Sequence, residues 1–177
     1  MNSQEVAAAI ERMRDVLERR PQFGLHDDAP AVSVWHGGLR SVANHANGTA
    51  IPADMPTELG GSGDQVSPGW LFRAGMASCA VSTIAIAAAM AGVELTLLEV
   101  RAGSRSDTRG LLGMDDEYGT PVFSGPSETQ LQVKVAANGV TSEKLRALVE
   151  DAIRLSPVPN AVQNAIPMSL AIEVKSS

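Results

Sequence analysis

Ser67–Ala91, SPGWLFRAGMASCAVSTIAIAAAMA, is the stretch from which the rest of this chain can be read. It opens on Ser67-Pro68, a serine that can cap a helix and then a proline whose missing N–H costs nothing in the first turn. The residues after Pro68 are apolar almost all round, with Arg73 their only charge. A helix without a polar face has to be covered on every side, inside a core or between two copies of the chain. Alanines and glycines such as Ala74, Gly75, Ala77, Ala80 and Ala85 let neighbouring backbones come close. Ser78, Ser82 and Thr83 interrupt it, and it reads as a central helix rather than a membrane span. The chain's single cysteine, Cys79, lies near its middle.

The outer limits come from composition. The chain has 177 residues, 44% hydrophobic and 19% charged, enough for one domain with its own core. A net charge of −6 argues against a nucleic-acid groove or an anionic membrane surface as partner, and 3% aromatics against a base-stacking platform. One cysteine excludes an intrachain disulfide and points to a reducing compartment. The chain opens without a basic-then-apolar leader, so the cytoplasm is the expected location.

Outward from the central helix, other elements are set by period and punctuation. Ser3 to Arg19 repeats Val6, Ile10, Met13 and Leu17 at helical spacing, and Pro21 ends it. Ala31 to His36 alternates as a strand, Gly37-Gly38 turns, and Arg40 to Ala46 returns as a hairpin partner. Arg40 therefore sits just past a tight turn, where its side chain can be aimed inward. Ile51 to Val66 is a loop by composition. Its glycines stand ahead of a helix start, yet the dinucleotide fingerprint is absent, and a turn permitting close packing is the simpler reading. Beyond Gly92, the expected C′ residue, Val93 to Ala102 is a strand. Gly103 to Glu128 is a long connection, and Thr129 to Ala137 the cleanest strand, with Leu131, Val133 and Val135 facing in. Ser142 is expected to cap an amphipathic helix, Asn160 to Ile166 to form a short one, and Ser169 to Lys175 a last strand with Leu170, Ile172 and Val174 on one face. Period-two strands with long helices on one side give an α+β class.

The side chains able to do chemistry are few. Cys79 is either a buried small hydrophobe or a nucleophile, and a nucleophile needs its thiolate stabilised. It lies about three turns into its helix, beyond the reach of the helix dipole. Arg73, six residues earlier, points roughly 120° away around the helix. A cation must come from elsewhere, which draws attention to Arg40, otherwise a solvated turn residue. His26, His36 and His45 lack metal-ligand spacing, so neither a metal nor a cofactor is expected. Asp115-Asp116-Glu117 reads as a solvated acidic turn, and Asp107 with Arg109 as a structural pair.

Several segments together carry a resemblance. Leu59-Gly60-Gly61-Ser62-Gly63, Ser67-Pro68, Leu71 and Ala77-Ser78-Cys79 resemble the OsmC/Ohr family of osmotically induced and organic-hydroperoxide-resistance proteins. Asp107-Thr108-Arg109-Gly110 with Leu112-Gly113, then Ser156-Pro157-Val158 and Asn160-Ala161, continue it in the same order. The similarity spans Ser33 to Val174, which makes residues 1–22 a helical extension and 23–177 the OsmC-like domain.

The resemblance implies antiparallel-rich curved sheets wrapped around long central helices in an intertwined homodimer, with active sites at the subunit interface. It implies reduction of organic hydroperoxides by a cysteine at Cys79, activated by an arginine for which Arg40 is the positional candidate. Two positions depart from the pattern. Ser156 stands where a resolving cysteine is usual, so an external thiol would have to complete the cycle. Gly69 stands where the hydroperoxide-resistance branch carries a glutamate that holds the arginine. A thiol-dependent reductase of small hydrophobic peroxides and an inactive member binding a small hydrophobic ligand are the two functions this leaves.

Overall fold

The computed structural model describes residues 2–164 and 166–175. The central helix, α2, runs Pro68–Met90, with Ser67 as its N-cap accepting from the Trp70 N–H at 3.2 Å. Its far end closes as a Schellman motif: Val93 N–H reaches Ala88 C=O at 2.9 Å, and Gly92 N–H reaches Ala89 C=O at 3.1 Å. That turn needs φ +65° at Gly92, a region costly for any residue with a Cβ. Val93 is thereby folded back onto Ala88, and the two join Leu145 in the main apolar cluster with Leu95, Val135, Val140 and Leu148 around them.

Helices and strands pack on α2 from several sides. Helix α1, Ser3–Arg19, is closed by a capping box in which Asn2 and Glu5 exchange bonds of 2.9 Å, and it lies along α2. Strands β4, Leu95–Ser106, and β5, Pro126–Ala137, form a long antiparallel pair whose Val100↔Val133 and Ala102↔Leu131 register puts the clean alternation of β5 to use. Helices α4, Ser142–Arg154, and α5, Pro157–Gln163, complete the cover. By length and composition α2 could cross a membrane, but it occupies the position of a core helix. Met76, Ala80, Ile84 and Ala88 form its buried line at every fourth residue. A second sheet, β1 (Val32–Trp35), β2 (Ser41–Asn44) and β3 (Ala50–Ala53), is an antiparallel meander. The α+β class expected from the sequence is the class observed.

The structure corrects several details. The segment expected as loop from Ile51 begins as β3, because Pro52 sits on an edge strand, where a missing ladder donor is tolerated. The long connection after Gly103 shrinks: β4 continues to Ser106 and a single-turn helix α3, Thr108–Leu111, comes next, capped by Asp107. Asp116 accepts the N–H groups of Tyr118 and Thr120 at 2.9 Å each, making the acidic run a turn. Thr141, not Ser142, caps α4, since its hydroxyl accepts from Lys144 N–H. The short helix expected from Asn160 starts earlier, with Pro157 in its first turn; its expected span includes Ala165, outside the described residues. Ser169–Lys175 forms no strand. Leu170, Ile172 and Val174 are 81%, 77% and 88% exposed, and among the described residues of the chain no sheet edge pairs with them. Nor is α2 covered all round: Phe72, Gly75, Ser78, Ser82 and Ala85 make one exposed line along it.

The two ends of α2 are independent local locks. Gly92→Ala should cost about 1–2 kcal/mol through its left-handed φ and Ser67→Ala about 1 kcal/mol through the lost cap. Urea unfolding of the two single variants and the double should show the costs adding. An unaltered midpoint for Gly92→Ala would contradict this account of the turn.

Candidate active site

Helix α2 is the rigid element that places Cys79. Cys79 is partly buried and its thiol is unpaired with any other cysteine. The sulfur receives two hydrogen bonds, from the Ser156 hydroxyl at 3.3 Å and from the Val158 N–H at 3.4 Å. Both donors come from the bend between α4 and α5, 77 residues further along the chain from Cys79 in the case of Ser156. Pro157 fixes that bend: a proline in the first turn of α5 forces Ser156 out of helical geometry and onto the cap position. A serine there ordinarily accepts from its own helix, but Ser156 makes no such capping bond. Its side chain is fully buried and turned toward the sulfur instead. Thr83, one turn beyond Cys79, donates to the Cys79 carbonyl at 2.8 Å and stands 3.2 Å from the Ser156 hydroxyl.

Arg40 lies elsewhere in the chain's own bonding pattern. Its guanidinium donates to Asp54, at 3.4 Å from both Nε and Nη2, to the Ser62 hydroxyl at 2.7 Å, and to Asp64. Asp54 is nearly buried and also accepts from the N–H groups of Met55 and Ser62 at 2.8 and 3.2 Å. This cluster closes the loop between β3 and α2, with the Asp54 N–H reaching the Val66 carbonyl at 3.1 Å. Gly61 is obligatory in it, because a Cβ would stand 1.8 Å from the Met55 carbonyl oxygen. The glycine run before α2 thus serves close packing.

The charges in the cluster support one another. Hydrogen bonds from Ser62 hold the carboxyls of Asp54 and Asp64 below the usual carboxylate range; Arg40 adds to the effect, and partial burial opposes it. Arg40 is pushed further up, first by its hydrogen bond to Asp64. Arg73 bonds to Ser104 at 3.1 Å and not to the sulfur. Gly69 leaves its side-chain position open, 3.7 Å from the Arg73 guanidinium.

Of the positions singled out from the sequence, Cys79 and Ser156 meet, while Arg40 and Gly69 do not join them within one chain. Gly69 is ten residues from Cys79 along one helix, about 15 Å at 1.5 Å per residue. Among the described residues no guanidinium bonds to the sulfur. Sequence reasoning missed Asp54, Ser62 and Asp64 as the partners of Arg40 and the Val158 N–H as a donor to the thiol; Thr83, one turn from Cys79 on the same helix, was legible as a neighbour, but not its contact with Ser156. No local pattern marks the contacts of Asp54, Ser62, Asp64 and Val158, since each depends on a chain reversal. His26 pairs with Asp28 at 3.6 Å on the surface, and His45 accepts from the Asn47 N–H. Among the described residues no cluster of histidine, cysteine and carboxylates could hold a metal ion.

Known proteins share this arrangement of the chain. The model of the OsmC-like protein family matches residues 61–171. An organic hydroperoxide resistance protein of Xanthomonas axonopodis pv. citri (strain 306) is 27% identical over 118 residues, which cover 66% of this chain and 74% of that one. The crystal structure of an OsmC-like protein from Mycoplasma pneumoniae superposes with TM-score 0.65 at 14% identity, covering 80% of this chain and 91% of its own. That of an organic hydroperoxide resistance protein from Elizabethkingia anophelis gives 0.57 at 22% identity, covering 80% and 91%.

The carboxylate cluster predicts a pH response with a definite sign. Because Asp54 and Asp64 ionise below their unfolded values, their contribution is complete above about pH 4 and is lost as pH falls through the depressed values. Hydrogen exchange at the Ser62 and Gly63 amides should therefore stay slow down to about pH 4 and speed up below it. Asp64→Asn should speed this exchange already at neutral pH and flatten the acid response. A wild-type profile in that variant would show that Asp64 does not secure the loop.

Proposed function

The chain belongs to the OsmC-like protein family, and from that membership we propose that it reduces organic hydroperoxides at Cys79, with a small external thiol closing the cycle. The observation that carries this reading is the 3.3 Å contact between the Cys79 sulfur and Ser156. The position at which a second cysteine would resolve the reaction touches the sulfur it would have to attack. In the first step the thiolate takes the distal oxygen of ROOH, the O–O bond breaks, and the alkoxide leaves with a proton as ROH. Cys79 becomes a sulfenic acid. A serine cannot form a disulfide, so a first external thiol displaces water from the sulfenic acid to give a mixed disulfide. A second thiol releases Cys79 as thiol and leaves as the external disulfide.

The reading also calls for a homodimer. Among the described residues, one chain leaves an exposed line on α2, an unpaired alternating tail at 169–175, and a sulfur bonded by Ser156 and the Val158 N–H but by no cation. A second copy packed along α2 would answer the first need and bring the partner subunit's Arg40, held by its carboxylates, toward Cys79. Cytoplasmic location and a peroxide of hydrocarbon character, suited to the apolar setting of Met76 and Phe72, belong to the same proposal.

A cavity supports the second reading, a ligand-binding member without turnover. About 590 Å3 of space lies between the 54–66 loop, the start of α2 and α3, lined by Leu59, Gly69, Phe72, Arg73 and Leu111 among others, and Cys79 does not line it.

The two readings separate on Cys79. With dithiothreitol as reductant, wild-type protein should consume cumene hydroperoxide and Cys79→Ser should lose this at least about a hundredfold, as expected for removal of a nucleophile. Ser156→Cys should form a Cys79-linked intrachain disulfide after one equivalent of peroxide, detected by mass. Consumption unchanged in Cys79→Ser would leave only the binding function.

A further inference from the structure

We propose that Thr83 and Ser156 form a reversible hydroxyl relay that positions Cys79 and stabilises its sulfur in both the protonated and the ionised form; the proposal rests on the reading of Cys79 as the reactive group. Thr83 Oγ1 lies 2.8 Å from the Cys79 carbonyl oxygen and 3.2 Å from Ser156 Oγ, and Ser156 Oγ lies 3.3 Å from Cys79 Sγ. Each hydroxyl has one proton to give and lone pairs to accept with. The contacts therefore close a ring with two consistent directions.

With Cys79 as a thiol, S–H donates to Ser156, Ser156 donates to Thr83, and Thr83 donates to the Cys79 carbonyl. With Cys79 ionised, Ser156 turns its proton onto the sulfur and Thr83 is free to donate to Ser156. The only covalent bond broken between the two states is S–H, and its proton passes to solvent, Cys79 being only partly buried. The hydroxyl protons only rotate. Val158 N–H donates to the sulfur at 3.4 Å in either state.

Two features set this apart from incidental packing. Ser156 is fully buried, where an unpaired hydroxyl is costly, and it forgoes its own helix cap to face the sulfur. Thr83 occupies the position four residues on from Cys79, the spacing that returns its hydroxyl to the Cys79 carbonyl. Among the described residues of one chain no buried side-chain polar atom is left without a partner. The relay thus supplies neutral donors to a sulfur to which no cation bonds among the described residues. Thr83 and Ser156 are positioning residues, acting through Cys79.

The test uses full-length protein and two readouts. Iodoacetamide alkylation of Cys79 at pH 6, followed by mass, reports the thiolate without any peroxide; cumene hydroperoxide consumption with dithiothreitol reports turnover. Thr83→Val keeps the shape and removes the hydroxyl. It should slow alkylation about three- to fivefold, since Ser156 loses the partner that orients its hydroxyl toward the sulfur. Thr83→Ser should restore it to within about twofold, because the hydroxyl is returned without the methyl. Ser156→Ala should slow it similarly, and adding Thr83→Val to Ser156→Ala should slow it little further, as for groups acting in one chain of bonds. Thr83→Val alkylating at the wild-type rate, or Thr83→Ser as slow as Thr83→Val, would overturn the relay. If wild type consumes no hydroperoxide while the alkylation differences persist, the peroxidase reading fails and the relay stands. If wild type consumes hydroperoxide and Thr83→Val matches it in both readouts, the relay alone fails.

Discussion

An apolar helix that cannot face water is the constraint on which this structure depends. Burial is worth roughly 25 cal/mol for each Å2 of apolar surface withdrawn, and α2 presents apolar surface in every direction. The chain answers by laying α1, β4, α4 and α5 against it. Small side chains make those close approaches possible, and the line from Met76 to Ala88 is sealed as a result. The part of α2 that the chain does not cover is as informative. The line from Phe72 to Ala85 stays open to water.

The same constraint places the chemistry. A thiol on a covered helix would be inert if hydrocarbon enclosed it. Instead the α4–α5 bend arrives with a hydroxyl and a backbone N–H, and leaves Cys79 only partly buried. Pro157 is central, because it ends one helix, starts the next and turns Ser156 onto the sulfur in a single residue. Arg40 is organised by a separate device. The glutamate expected to hold it is absent at Gly69, and two aspartates from the loop before α2 take up the guanidinium. Orientation of the arginine is thus built before α2 begins rather than on it.

Much of this could be read from the residues in order. Ser67, Pro68 and Gly92 mark the ends of α2 because caps act within a few residues. The alternation of Leu131, Val133 and Val135 marked β5 because a two-residue period has one structural meaning. Pro52 hid β3, since whether proline is tolerated depends on which strand lies at the edge, a fact absent from any local window. The tail from Ser169 carries a strand pattern without a strand, because pairing needs a neighbour that one chain does not offer. Cys79 was legible as a candidate nucleophile because it is the chain's one cysteine, and Ser156 as a site position only through the family pattern. The contact of Thr83 with Ser156 and that of Asp64 with Arg40 were not legible, since the first spans 73 residues and the second depends on a loop closing on itself.

Cys79 is, on this account, a nucleophile kept reactive by its setting rather than a packing residue. Trapping with dimedone during exposure to one equivalent of cumene hydroperoxide tests it most directly. The account predicts one adduct per chain, carried on Cys79 and absent when dimedone is added without peroxide. Protein recovered with Cys79 reduced and unlabelled would contradict it.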